Sequence, residues 1–238
     1  MIRLNNEISK GVKISLLICA LGLWLGDYFL GNWLGFFNLD RERNLVGVLS
    51  GALFAYTSFS FLFSYRLCRM KQEADKVSRF WNRLELLAAV IFGWLAIDEM
   101  MVIHERATGV INLKLGLVAI KGAEFFWLIW YLPLMVVGLG VMALLIRFAE
   151  SRTEKRYWLA AIGLFIFALI LETLAALGQH FGWRILSGRP LLASLEEISE
   201  FLGNACAALG AEIRWRFSVS AYGASLLAED KTEPIKRV

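Results

Sequence analysis

Six apolar segments divide this chain, and five of them are long enough and apolar enough to cross a lipid bilayer as helices. A spanning helix needs about 20 largely apolar residues and satisfies its own backbone hydrogen bonds. The composition agrees, because 58% of the residues are hydrophobic and only 19% are charged. The sequence therefore predicts an all-α, polytopic membrane protein, a bundle of six transmembrane helices. The predicted spans are 14–37, 45–65, 84–104, 124–146, 157–180 and 192–212.

The distribution of basic residues decides the number and direction of the spans. The sixth segment is the weakest, since Glu196, Glu197 and Glu200 interrupt it. With the N-terminus inside, 18 of the 25 Lys and Arg residues fall in cytoplasmic segments and 7 in outer segments. Without the sixth span the division would be 13 to 12, which no longer follows the positive-inside rule. We therefore predict six spans with both termini in the cytoplasm, a single domain over 1–228 and a polar cytoplasmic tail over 229–238.

Acidic and imidazole side chains collect in the outer halves of five predicted spans. The direction of each span comes from Lys and Arg alone, so this asymmetry is an independent observation. The inner halves carry only end charges such as Glu85 and Glu212, close to the loops. Each charge near the centre of a span costs a few kcal/mol, so protons, basic partners or a bound cation must neutralise the set. The groups are Asp27, Asp98, Glu99, His104, Glu105, Glu124, Glu172, His180, Glu196, Glu197 and Glu200.

Part of this set has a purely structural explanation. Asp27 and Glu124 lie near helix ends, where carboxylates snorkel or cap, and His180 at the end of a span suits the membrane interface. The glutamates that begin the sixth span would also complement the dipole of that helix. These explanations fit less well for Glu172, which is flanked by leucine and isoleucine, and for Asp98, which lies within an apolar run. The sequence therefore favours one polar site built from several helices.

Helical spacing limits which of these groups can hold one ion. Glu200 shares a helix face with both Glu196 and Glu197, so either pair can bind a single cation. On a straight third helix, Asp98 and Glu105 would lie two turns, roughly 10 Å, apart. Carboxylates with one imidazole suit Fe, Mn or Zn, and carboxylates alone suit Ca or Mg, so a divalent metal is the predicted cofactor. The predicted metal ligands are Asp98, Glu172, Glu196, Glu197 and Glu200, and the predicted catalytic residues are His104, Glu99 and Glu105.

Two acidic motifs resemble those of a known group of proteins. The motifs are Asp98-Glu99-x4-His104-Glu105 and Glu196-Glu197-x2-Glu200-x2-Gly203. From roughly the third helix to the end, the chain resembles an uncharacterised family of bacterial multi-pass membrane proteins. The resemblance implies a protein of the bacterial cytoplasmic (inner) membrane and brings no assigned activity. Intramembrane CAAX-type proteases differ, because Phe201 stands where their paired glutamates are followed by an arginine.

Three functions stay open from the sequence, and we favour the first. It is a metal-dependent enzyme that acts on a lipid-like substrate from the outer leaflet. The second is a proton or cation transporter, which requires polar groups that continue into the inner half. The third is a non-catalytic accessory subunit of a larger membrane complex, in which aromatic residues contact lipid or partner subunits. Membrane lipid is the predicted partner in each case, and nucleic acid in none, because the basic residues are spread over short loops.

Overall fold

The computed structural model describes residues 14–15, 18–23, 25, 45–70, 76–116, 127–181 and 190–230. Every regular element in these ranges is an α-helix, which confirms the all-α prediction. The described residues before 26 are helical as well. The helices with defined bounds are α1 (Leu45–Met70), α2 (Lys76–Met101), α3 (Ile103–Lys114), α4 (Trp127–Arg147), α5 (Arg152–Phe181) and α6 (Pro190–Asp230).

Three of these helices, α1, α4 and α5, are long and apolar enough to cross a membrane. Taken together, α2 and α3 form a fourth candidate, a span broken by a sharp bend. Most of the first predicted span, 14–37, lies outside the described residues. The chain is therefore consistent with a membrane protein, and the count of six spans stays a prediction.

The last helix is much longer than the span predicted over 192–212. It has 41 residues, and at 1.5 Å per residue it is about 60 Å long, twice the thickness of the hydrocarbon core. Pro190 begins it, as expected for a residue whose missing N–H has no partner at that position anyway. The predicted tail over 229–238 lies almost entirely outside the described residues.

The packing order of the helices, which one sequence does not give, centres on α1. It lies between α2 and α6, while α5 packs along the other side of α6. Helix α4 has fewer contacts, which it makes with α5, α3 and α2. The middle of the bundle is filled by Phe54, Phe61, Phe92 and Trp158, which we call the aromatic layer. Neighbouring ring centroids in this layer are 5.8–6.1 Å apart.

Two glycines of α6 allow α5 to approach closely. A Cβ atom at Gly203 would meet the Phe165 ring at 2.8 Å, and one at Gly210 would meet the Trp158 ring at 2.9 Å. Small residues serve this purpose at many helix interfaces in membranes, because they let two backbones come near each other. The rings of Phe165 and Trp158 therefore pack directly against the α6 backbone at these two glycines.

We expect Gly210→Ala to lower the free energy of unfolding by about 1–3 kcal/mol, because the added methyl overpacks the contact with Trp158. The matched control is Gly163→Ala in α5, where a Cβ would meet nothing within 4 Å. That change should be neutral or should stabilise the helix by up to about 1 kcal/mol. Thermal unfolding in detergent micelles measures both. Equal thermal midpoints for the two variants would contradict the close contact.

A buried ion network at the far end of the bundle corrects one part of the sequence interpretation. Arg214, counted there as an ordinary cytoplasmic cation, is 4% exposed. Its Nε donates to Glu154 Oε1 at 2.9 Å and its Nη2 to the Phe148 carbonyl at 2.9 Å, and its guanidinium lies 5.0 Å from the Trp81 ring. Glu85, expected near a loop, is 2% exposed and lies 4.0 Å from Nη1 of the same arginine. This cluster, the Arg214 network, joins α2, α5 and α6.

Candidate functional site

A cavity of about 270 Å³ lies where α2 ends and α6 begins, and side chains of all six helices line it. Its polar lining residues are Asp98, Glu99, His104, Tyr131, Glu172, Glu196, Glu197, Glu200 and Asn204. The remaining lining residues are Phe54, Ile91, Phe92, Leu95, Leu134, Met135, Gly138, Leu139, Val141, Met142, Phe165, Ile166 and Leu169. The cavity thus combines an acidic region with an extended apolar wall, and none of its described lining residues is Lys, Arg or Cys.

A break between α2 and α3 shapes the acidic region. The sequence predicted one helix over 84–104, whereas the structure ends α2 at Met101 and turns the chain at Val102. Val102 has φ 53° and ψ 46°, the left-handed conformation, which is rare for a β-branched residue and costs about 1–3 kcal/mol. The two helix axes consequently differ by 76°. The break places His104 at the start of a new helix rather than one turn further along the old one.

Asp98 holds this break together and is itself 5% exposed. Its Oδ1 accepts the backbone N–H of His104 at 2.9 Å and the hydroxyl of Tyr131 at 3.0 Å. Its Oδ2 lies 2.9 Å from Nδ1 of the His104 ring. The first bond satisfies one of the N-terminal donors of α3, where a negative charge is also favourable. Asp98 therefore joins α2, α3 and α4 at one point.

The opposite side of the acidic region comes from α5 and α6. Glu172 of α5 is buried, at 6% exposure, and faces the cavity from within an apolar stretch. Glu197 and Glu200 of α6 are half-buried, and Asn204 lies one turn further along the helix at 2% exposure. The Oδ1 atom of Asn204 has no hydrogen-bond partner in the part of the chain that the structure describes.

Seven of the eight predicted site residues therefore line the same cavity, and they come from four helices. The eighth, Glu105, lies on α3, but its side chain is outside the described structure. Asp27 and Glu124 are also outside the described residues. His180 is exposed, packs edge-on against Phe181 with ring centroids 4.9 Å apart, and does not line the cavity.

The predicted metal site is not preformed as a cage of acidic and imidazole groups. Among the described residues, no three His, Cys, Asp or Glu side chains lie close enough together to hold one ion. Asp98, predicted as a ligand, has both carboxylate oxygens engaged in the three bonds described above. The sequence interpretation missed Tyr131 as a member of the site. Asn204 was not among the predicted site residues, although its spacing of four from Glu200 is visible in the sequence.

Comparison with known proteins gives a family and no activity. The model of a family described as Domain of unknown function (DUF8692) matches residues 14–213. This range contains α1 to α5, the first half of α6 and every residue that lines the cavity. No curated protein and no solved structure matches the chain.

Proposed function

The chain belongs to the DUF8692 family, and we propose that it is a membrane-embedded, divalent-cation-dependent enzyme that acts on a lipid-like substrate. The observation that carries this proposal is the cavity, in which seven acidic or imidazole side chains face an apolar wall. A lipid-like molecule is complementary to this cavity, because its polar head group can contact the acidic region while its apolar chain contacts the apolar wall. Ligand sites commonly combine an apolar lining with a few convergent polar groups in this way.

The proposed topology follows from the basic residues. Six spans with both termini in the cytoplasm of a bacterial cell place 18 of the 25 Lys and Arg residues on the cytoplasmic side. In this orientation the cavity lies in the outer half of the bilayer and the Arg214 network near the cytoplasmic surface. A substrate would then reach the acidic region from the outer leaflet.

Helix α4 supports entry of the substrate from the bilayer. Only 17% of its most apolar stretch is buried within the protein, against 39% for α1. Residues Leu134, Met135 and Leu139 of the same helix nevertheless line the cavity. A single helix with few neighbours thus separates the apolar wall from the surrounding lipid. Small movements of α4 would open a lateral route for an acyl chain.

His104 is the proposed general base, and Asp98 is the residue that positions it. A carboxylate at Nδ1 holds the proton on that nitrogen, which makes Nε2 the basic atom of the neutral ring. This is the arrangement by which an aspartate orients a catalytic histidine in many hydrolases. Glu172, Glu196, Glu197 and Glu200 are the residues whose oxygen atoms would hold a divalent cation, and such a cation would polarise a substrate oxygen. Glu99 and Glu105, each next in sequence to a member of the Asp98–His104 pair, are the other two proposed catalytic residues.

The aromatic layer argues for an enzyme rather than a transporter. A path for ions requires polar groups from one membrane surface to the other. Between the cavity and the Arg214 network, the centre of the bundle is filled by Phe61 and Trp158, both 0% exposed. Phe54 and Phe92, which belong to the same layer, also line the cavity and close its inner end. A cluster of carboxylates that ends at the aromatic layer is more typical of an enzyme active site than of an ion-transport path.

Glu200→Gln tests the proposal directly. We expect the wild-type protein, purified in mild detergent without chelator, to contain near-stoichiometric divalent metal by elemental mass spectrometry. Glu200→Gln should lose the metal, because the neutral amide is a weaker ligand than the carboxylate. The control is Glu150→Gln, which changes a half-exposed acid at the opposite end of the bundle and should retain the metal. A wild-type protein that takes up no divalent metal, even when one is added, would overturn the proposal.

A further inference from the structure

Asn204 is a buried polar residue that the proposed reaction does not yet use. It is 2% exposed, lines the cavity, and leaves its Oδ1 without a partner in the described structure. A buried acceptor that stays unpaired costs about 1–3 kcal/mol, so such atoms in native proteins call for an explanation. Because Asn204 also lines the cavity, a ligand that occupies the cavity is the most direct partner for this oxygen.

Burial without a partner is not sufficient by itself. Asn82 on α2 is buried to 6% exposure and its Oδ1 is also unpaired in the described structure, yet Asn82 does not line the cavity. What distinguishes Asn204 is its position relative to the carboxylates. It follows Glu200 by four residues and Glu197 by seven, so all three project from one face of α6. Side chains four apart on a helix have Cβ atoms about 5–6 Å apart, close enough to grip one ion together.

We propose that Asn204 Oδ1 is a cation ligand that acts with Glu200 at the inner end of the acidic region. This inference rests on the proposed cation dependence and adds the identity of a ligand and the class of the ion. The available donors on this face are carboxylate and amide oxygens, and the Nδ1 atom of His104 is occupied by Asp98. Oxygen donors of this kind select hard cations, Ca²⁺ or Mg²⁺, whose remaining positions are filled by water or by oxygens of the substrate.

The amide also explains the position of the site along α6. An ion at Glu200 and Asn204 would lie next to the aromatic layer, at the border between the acidic region and the apolar wall. The head group of an amphiphilic substrate occupies this border when its chain fills the apolar part. A neutral oxygen at this depth contributes a ligand without adding another charge to a region that already holds several carboxylates.

Titration calorimetry with Ca²⁺ and Mg²⁺ on the purified full-length protein in detergent tests the inference. Asn204→Leu keeps the approximate volume and removes the oxygen, so affinity should fall at least tenfold. Asn204→Asp keeps the shape and adds a charged oxygen, so affinity should stay equal or rise. The matched control is Asn82→Leu, which removes another buried amide whose Oδ1 is unpaired in the described structure and should leave cation affinity unchanged.

The outcomes separate this inference from the proposal on which it rests. If the wild type binds Ca²⁺ or Mg²⁺ and Asn204→Leu binds it equally well, Asn204 is not a ligand, while cation dependence stands. If Asn204→Leu does not fold, Asn204→Asp decides, because a fall in affinity there would contradict ligation. A wild-type protein that binds neither ion overturns the inference, and elemental analysis of the same protein then shows whether another metal maintains the broader proposal.

Discussion

Asp98→Asn is expected to slow turnover by roughly 10²- to 10⁴-fold, the range that general acid–base catalysis by a positioned side chain contributes. The carboxylate accepts the His104 backbone N–H and contacts the His104 ring nitrogen Nδ1, each at 2.9 Å. An asparagine can present its NH₂ group to that nitrogen, which shifts the proton of the neutral ring to Nε2 and removes the base. The substitution keeps the shape of the side chain, so the effect should be on catalysis more than on folding.

Two measurements check this result. Proteoliposomes made with a bacterial lipid extract and Ca²⁺ or Mg²⁺ can be analysed by untargeted mass spectrometry for products that form with the wild type only. The tautomer can be followed separately by ¹⁵N NMR, because the chain has only 2 histidines. In the wild type the neutral His104 ring should carry its proton on Nδ1, and in Asp98→Asn the signal should move towards the Nε2–H form. A purely structural role for Asp98 would not move the tautomer in a folded variant.

Tyr131→Phe is the matched control, since it removes the other side-chain partner of Asp98 and leaves the pair with His104 intact. We expect a decrease of less than about tenfold in turnover, consistent with the loss of one hydrogen bond worth about 1 kcal/mol. The tautomer of His104 should not change. Full turnover in Asp98→Asn, or an equal loss in both variants, would contradict the assignment of Asp98 as the positioning residue.

The collection of acidic groups at one end of the bundle could be predicted because a single carboxylate inside a membrane has a high free-energy cost. An isolated carboxylate in an apolar helix, such as Glu172, is expensive unless other polar groups or a cation lie nearby. The direction of each helix, assigned from Lys and Arg, predicts that these groups lie at one depth, whereas their contacts depend on the packing order of the helices. In the structure, Asp98, Glu172 and Glu200 line one cavity although they are 74 and 28 residues apart in sequence.

The break at Val102 could not be predicted, because the local sequence opposes it. No glycine, proline or asparagine marks the bend, and a β-branched residue disfavours the left-handed conformation. A straight helix would place Asp98 and Glu105 about two turns apart, so the sequence did not predict the contact between Asp98 and His104. Tertiary hydrogen bonds from His104 and Tyr131 to Asp98 stabilise the bend, and these partners were not visible without the packing of α4. The orientation and burial of single side chains such as Asn204 also depend on how the helices pack, which one sequence does not give.

Arg214→Met is expected to lower the free energy of unfolding by about 3–5 kcal/mol, the usual cost of removing one partner from a buried ion pair. Glu154 is 0% exposed, and among the described residues the substitution leaves its charge with the Glu150 backbone N–H and the Trp158 indole as donors. The change also removes the bond to the Phe148 carbonyl and the contact with the Trp81 ring. Because α6 loses its ion-pair link to α5, thermal unfolding in detergent should begin at this end of the bundle.

The same substitution two residues further along α6 provides the control. Arg216 is ion-paired to Glu212 at 2.5 Å, but the Arg216 side chain is 45% exposed, and the buried Glu212 also accepts the Tyr56 hydroxyl. Arg216→Met should therefore cost less than Arg214→Met, about 1–2 kcal/mol, because Glu212 keeps the Tyr56 hydroxyl as a donor. The double variant Arg214→Met/Glu154→Gln should recover part of the loss, since it removes the buried charge that the single variant leaves behind. Equal thermal midpoints for Arg214→Met and Arg216→Met would show that the network contributes no more than this half-exposed pair.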